Sequence, residues 1–178
     1  MHITAKVDYA VRTLLEIARA PRVSQAQPAA VPALEATRLA QAGPVITAAA
    51  VVKADVIATA QRIPPKVLET VLAELRRADL VISRRGPDGG YWLARPAAEI
   101  SIADVIRAIE GPLASVRGER PEDVNYPGAA EPLQRVWIAL RVNIRAVLEN
   151  VSIEDIAQDE LPGFVEALTE DPGAWARR

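Results

Sequence analysis

Between residues 53 and 96 the sequence reads helix, tight turn, helix, then strand, turn, strand. Few folds accept that order in so short a stretch. KADVIATAQ, residues 53–61, predicts a short helix with Val56, Ile57 and Ala60 facing inward. Arg62-Ile63 turns the chain. A second helix opens at Pro64-Pro65, where missing N–H groups cost little, and runs through KVLETVLAELRRADL. Val67, Leu68, Val71, Leu72 and Leu75 form its apolar stripe, with Lys66, Glu69, Thr70, Arg76 and Arg77 elsewhere. Two short helices about a tight turn make a helix-turn-helix, and equally an ordinary αα-hairpin within a helical core. The next segment tips that balance. LVISRR, GPDGG and YWLAR read as a hairpin, with β-branched and aromatic runs on either side of a Gly/Pro/Asp turn. A hairpin directly behind a helix-turn-helix is a wing. Arg84 and Arg85 stand on its first strand, beside a glycine-rich tip that lets backbone approach a phosphate. An arginine there suits a narrow minor groove. The combined order favours DNA binding over a surface hairpin with solvated arginines.

The remainder is helical. Residues 5–20 repeat Val7, Val11, Leu14, Leu15 and Ala18 at helical spacing, with Thr4 as cap and Pro21 as stop. Residues 21–52 are rich in Ala, Pro and Val, and PALEATRLAQAGP within them has the grammar of a helix. Ser101 and Asp104 form a capping box for a helix with Ile102, Val105, Ile106 and Ile109 on one face, ended by Gly111-Pro112. Residues 115–132 read as a polar loop. LQRVWIALRVNIRAVLENV then predicts a long helix. Leu133, Val136, Trp137, Leu140, Ile144, Val147, Leu148 and Val151 form a seam; Arg135, Arg141 and Arg145 lie off it. Such a seam needs a partner surface, in its own core or on a twin subunit. Ser152–Ile156 suggests one more short helix. The expected fold class is mainly α with a small β wing. Three parts are expected: a winged helix-turn-helix domain at 1–96 with an insert at 22–52, a linker and dimerisation helix at 97–157, and an acidic tail at 158–178.

Composition narrows the chemistry. The chain has 178 residues, no cysteine and one histidine, His2. That excludes a disulfide framework, a thiol nucleophile and an all-cysteine iron–sulfur cluster, and with the single histidine at the very start of the chain neither a multi-histidine metal site nor a Ser-His-Asp arrangement is expected. No nucleophile–base pair can be assembled, so no enzyme is expected. The glycines at 86–90 join two strands rather than a strand and a helix, so they do not form a nucleotide loop. No apolar run reaches the ~18 residues of a membrane span, and no secretory leader is visible; a cytoplasmic protein is expected. The net charge of −2 conceals an asymmetry. Residues 53–96 carry eight basic against five acidic side chains, and residues 97–178 carry eight against fifteen. A basic front and an acidic back suit a polyanion-facing side.

The chain resembles the Rrf-two family of winged helix-turn-helix transcription factors over residues 3–20 and about 53–157. The most specific match is Arg85-Gly86-Pro87-Asp88-Gly89-Gly90-Tyr91 followed by Leu93-Ala94. ITAKVDYAVRTLLEIA, the Ile63-to-Leu80 segment, ISIADVIRAIEGPL and VWIALRVNIRAVLENVSIEDIA support it. The resemblance implies a homodimer, with the helix near 133–150 crossing its twin through Leu133, Val136, Trp137, Leu140, Ile144, Val147 and Leu148. It implies a recognition helix in the major groove, with Pro64, Lys66, Val67, Glu69 and Thr70 near bases or phosphates. Glu69 would accept from a cytosine amine and Thr70 would touch a thymine methyl or a phosphate. Arg84, Arg85, Gly89 and Gly90 would meet DNA from the wing, and Lys6 and Tyr9 from the first helix. At single positions the bland alternatives stay open: Val67 as core, Lys66 as a solvated lysine.

Three departures stand out. Many members of the family hold an iron–sulfur cluster on three cysteines in the loop before the dimerisation helix; SVRGERPEDVNYPGAAEP has none. Arg62 and Asp79 occupy turn positions where glycine is usual. The 22–52 insert is long. The expected function is therefore a DNA-binding regulator without metal or cofactor. It would be a homodimeric repressor on a pseudo-palindromic operator, answering to a small molecule by the dimer helix near Trp137 and Tyr126, or to a protein partner. The alternative is a protein-interaction module that kept the fold and lost DNA reading.

Overall fold

A computed structural model describes residues 2–20 and 51–176; the helix expected within 32–44, with nearly all of the insert, lies outside the described residues. Numbered in chain order among those residues, the helices are α1 (Ala5–Arg19), α2 (Ala54–Gln61), α3 (Pro65–Arg77), α4 (Ile102–Glu110), α5 (Leu133–Leu148), α6 (Ile153–Gln158) and α7 (Gly163–Glu170). Two strands, β1 (Val81–Arg84) and β2 (Gly90–Leu93), form the hairpin. The protein is mainly α with a small β wing, as expected.

The central core gathers one stripe from each of the front elements. Ala10, Leu14 and Ile17 of α1 meet Ile57 of α2, Leu68, Val71, Leu72 and Leu75 of α3, and Val81 of β1. Ile100, Val105 and Ile153 close it from the carboxy-terminal side. Apolar surface recurring at i, i+3 and i+4 can be buried on one side only, which stacks these helices around a common centre. Thr4 caps α1 by accepting from the Val7 N–H at 3.3 Å. Thr13, buried in mid-helix, donates its hydroxyl to the Tyr9 carbonyl at 2.7 Å and so carries no open polar group into the core.

One part of the α2 reading is corrected. Only Ile57 is fully buried; Val56 is 50% exposed and Ala60 is exposed as well. Eight residues make barely two turns, and α2 touches the core along a single line through Ile57, with Ala54 and Ala58 beside it.

The turn between α2 and α3 and the turn from α3 into the wing both keep the geometry that glycine would provide. Arg62 after α2 and Asp79 after α3 each sit at φ 53, in the left-handed region. The N–H groups of Ile63 and Leu80 reach back to the carbonyls of Ala58 and Leu75 at 3.0 and 2.9 Å. These bonds satisfy helix-end carbonyls and bury Ile63 and Leu80 beyond each turn.

Capping boxes at Ser101/Asp104 and Ser152/Asp155 start α4 and α6. The two starts are tied together: Ile102 N–H donates to the Val151 carbonyl and Ile153 N–H to the Ile100 carbonyl, each at 2.9 Å. That link brings Ile153 into the core from a distant part of the sequence. The expected tail contains structure, namely α7 and a 3-10 turn at Pro172–Trp175, neither with a buried residue.

Candidate nucleic-acid interface

The wing is built by pairing and by two glycines. Val81 faces Leu93, Ile82 faces Trp92, Ser83 faces Tyr91 and Arg84 faces Gly90. Val52 adds a bridge on the other side of β2, exchanging hydrogen bonds with Tyr91 at 2.9 and 2.8 Å. A side chain at Gly90 would stand 2.6 Å from the Val52 carbonyl oxygen, so glycine is what lets that strand close in. Gly89 is buried under the tip, where a Cβ would lie 2.3 Å from the Arg84 carbonyl oxygen. Its N–H donates to Gly86 O at 2.9 Å, closing the turn. Arg84 ends β1 and donates to the Asp88 carbonyl at 3.0 Å. Arg85 lies in the loop past β1 rather than on the strand, and both arginines are exposed.

On α3 the expected division holds in part. Lys66, Glu69 and Thr70 are exposed, as are Arg76, Arg77 and the preceding Pro64. Val67 is half-buried and packs against the core, which is its bland alternative. Thr70 donates to the Lys66 carbonyl at 3.2 Å, and Arg76 donates to the Ser83 hydroxyl at 3.2 Å, tying the recognition helix to the wing.

The two α1 candidates are placed differently from free phosphate ligands. Lys6 pairs with Glu74 of α3 at 2.7 Å, so its charge is largely met within the protein. Tyr9 is half-buried against the core, with the Arg12 guanidinium 5.7 Å from its ring centre. Arg12 carries no sequence signal for its role, because its partner Gln61 lies far along the chain. It bonds Asp8, the Gln61 side chain and the Gln61 carbonyl, and so positions α2 on α1. Arg62, at a turn position where glycine is usual, is exposed.

The long helix leaves part of its apolar surface open. None of its residues is fully buried. Val136, Leu140 and Val142 are 53%, 43% and 58% exposed. Ile144 and Leu148 pack on a second small core of Val7, Ala103, Ile106 and Leu113, so part of the expected seam serves its own subunit. Leu133, Trp137 and Val147 are half-buried. Trp137 donates its indole N–H to the Tyr126 hydroxyl at 3.0 Å. Trp137, Leu140 and Ile144 also line a cleft of about 400 Å³ with Ile3, Ile106 and Leu113.

A helix-turn-helix braced by a glycine-tipped, arginine-bearing hairpin defines a winged helix-turn-helix, DNA-binding protein. Comparison with known proteins agrees. Residues 45–159 match the family model Rrf2, described as an iron-dependent transcriptional regulator, and the chain belongs to that Rrf-two family. It is 42% identical over 171 residues to the HTH-type transcriptional regulator Rv1287 of Mycobacterium tuberculosis, covering 96% of this chain and 90% of that one. Among solved structures it resembles CymR, the global cysteine regulator of Bacillus subtilis, at TM-score 0.62 and 25% identity, over 89% of this chain and 97% of that one. T. potens IscR shares the fold at TM-score 0.57 and 22% identity, over 100% and 93% of the two chains. The protein is thus a DNA-binding transcriptional regulator. The family's description names iron, and the donor set bears on an iron–sulfur cluster in particular. The sequence has no cysteine, and among the described residues no three His, Asp or Glu side chains converge as a metal site. Thiolates are what hold iron–sulfur clusters, and carboxylates do not substitute for them.

Proposed function

We propose that the chain acts as a homodimeric repressor on a pseudo-palindromic operator, working in the cytoplasm and without a cluster. The observation that carries this reading is the open face of α5: sixteen residues, none fully buried, with Val136 and Leu140, one turn apart, in solvent on the same side. A helix with that much exposed apolar surface is stabilised by a partner, and a second copy offers the same face across a twofold axis. Two recognition helices would then read half-sites about one DNA turn, roughly 34 Å, apart. Lys66, Arg62, Arg84 and Arg85 would supply phosphate contacts, Glu69 and Thr70 base contacts, and the Gly89-Gly90 tip the close approach. A dimer seated across a promoter blocks it sterically, hence repression. Activity would be set by a small effector or a protein partner. In this reading the chain divides into a reading head at 1–96, a linker and dimer helix at 97–157, and an acidic tail at 158–178. Light scattering and a mobility shift on the protein's own promoter test this together. We expect a dimer and salt-sensitive binding, weakened by Arg85→Ala. A monomer with Val136 and Leu140 intact, or binding indifferent to salt, overturns it.

A further inference from the structure

Four arginines, none of them on α2, α3 or the wing, gather around one cleft. Arg107 of α4, Arg120 of the loop before α5, and Arg141 and Arg145 of α5 line a cleft of about 300 Å³ with Leu113 and Glu122. Three carboxylates answer them. Glu122 pairs with Arg141, and Glu149 pairs with both Arg107 and Arg145, the latter at 2.9 Å. Asp104 lies 3.7 Å from Arg107 and is shared with Arg95 at 2.9 Å. Counting Arg95, this network holds five positive and three negative groups, an excess of two positive charges. Arg120 makes no ion pair among the described residues. The Nε of Arg141 is buried with no acceptor. A buried N–H of a charged group without a partner is costly.

From this arrangement we infer that the cleft is a binding site for a small organic dianion, a dicarboxylate or a phosphate monoester. Guanidinium forks match carboxylate and phosphate oxygens in geometry as well as in charge. A double negative charge cancels the excess of two. The volume, at the lower end of ligand pockets, admits a short carbon skeleton beside Leu113. The field at the site is visible in its carboxylates. Arg107 and then Arg145 hold the Glu149 carboxyl below the usual glutamate range. Glu122 is lowered too, first by a backbone N–H and then, against some desolvation, by Arg141. A bound dianion would join α4, the loop and α5 through their arginines. Binding stands apart from DNA reading and is tested without DNA.

The test is calorimetric titration of the full chain with inorganic phosphate and, separately, succinate, at matched ionic strength. We expect saturable binding of at least one probe with a Kd below about 1 mM. Phosphate alone would assign the phosphate class and succinate alone the dicarboxylate class. Arg120→Gln, in an exposed loop where folding is not at stake, should weaken binding at least about tenfold. Arg141→Gln should do the same, and Arg135→Gln, outside the cleft, should change nothing. No saturation by either probe, or equal affinity in Arg120→Gln, overturns the proposal.

Discussion

Replacing Arg62 by glycine should make the protein more stable and a weaker DNA binder at once. Arg62 holds φ 53, a conformation that costs a residue with a Cβ about 1–2 kcal/mol. Glycine removes that cost and returns up to about 1 kcal/mol through the greater freedom of its unfolded chain. The net expectation is a gain of about 0.5–1 kcal/mol, or roughly 1–4 °C in Tm for a chain of this size. The Arg62 backbone N–H bond to the Thr59 carbonyl, at 3.3 Å, survives the change. The exposed guanidinium does not. If it neutralises one phosphate, the slope of log affinity against log salt falls by about 0.9 per protomer. Asp79→Gly is the internal control. It has the same φ, but aspartate tolerates the left-handed region better, so its gain in stability should be smaller. As an acid it contacts no phosphate, and the salt slope should stay put. Urea denaturation and mobility shifts across a salt series measure both quantities. A fall in stability for Arg62→Gly would refute the strain argument. A gain with an unchanged salt slope would leave the turn geometry intact and remove Arg62 from the interface.

Gly90→Ala should cost about 1–3 kcal/mol by overpacking and should weaken DNA binding, because its methyl group meets the Val52 carbonyl and the Val51 side chain, each at 2.6 Å; wild-type urea midpoints and affinity would contradict the wing geometry. Acid should release the ion pairs of Glu149. Its folded value lies below the ordinary 4.5, so its stabilising effect is complete above that value and fades as pH falls through the lower one. The small difference in urea midpoint between wild type and Glu149→Gln should therefore be present at pH 6 and vanish towards pH 3.

What could be read from the sequence was whatever a short-range period encodes. Leu68, Val71, Leu72 and Leu75 announce their buried face because four residues recur on one side of a long helix. The capping box at Ser101 is local chemistry and is found where the residues place it. Val56 misled because two turns of helix carry too few repeats to fix a face. Lys6 was read as free because its partner, Glu74, lies far along the chain. The same holds for Arg12 with Gln61, and for the gathering of Arg107, Arg120, Arg141 and Arg145 around one cleft. No periodicity reports a contact between elements that only the fold brings together.

The long helix has two unlike halves, and that difference bears on regulation. Its carboxy-terminal half is anchored, since Ile144 and Leu148 pack into the core formed by Val7, Ala103, Ile106 and Leu113. Its amino-terminal half rests on the preceding loop. Gln134 donates to the Glu122 carbonyl at 3.0 Å, Trp137 donates to Tyr126, and Arg141 pairs with the Glu122 carboxylate. The exposed Val136 and Leu140, which would face a second subunit, lie in that loop-supported half. Displacing the loop therefore changes the support of the residues that would set the angle between subunits, while the core beneath α1 and α3 stays packed. In the proposed dimer, half-site spacing on DNA would be fixed by that angle, so a few ångströms at the loop would be read at the recognition helices as a change of fit. On this view the loop is the point of leverage, and a cysteine-free sequence is no obstacle to switching.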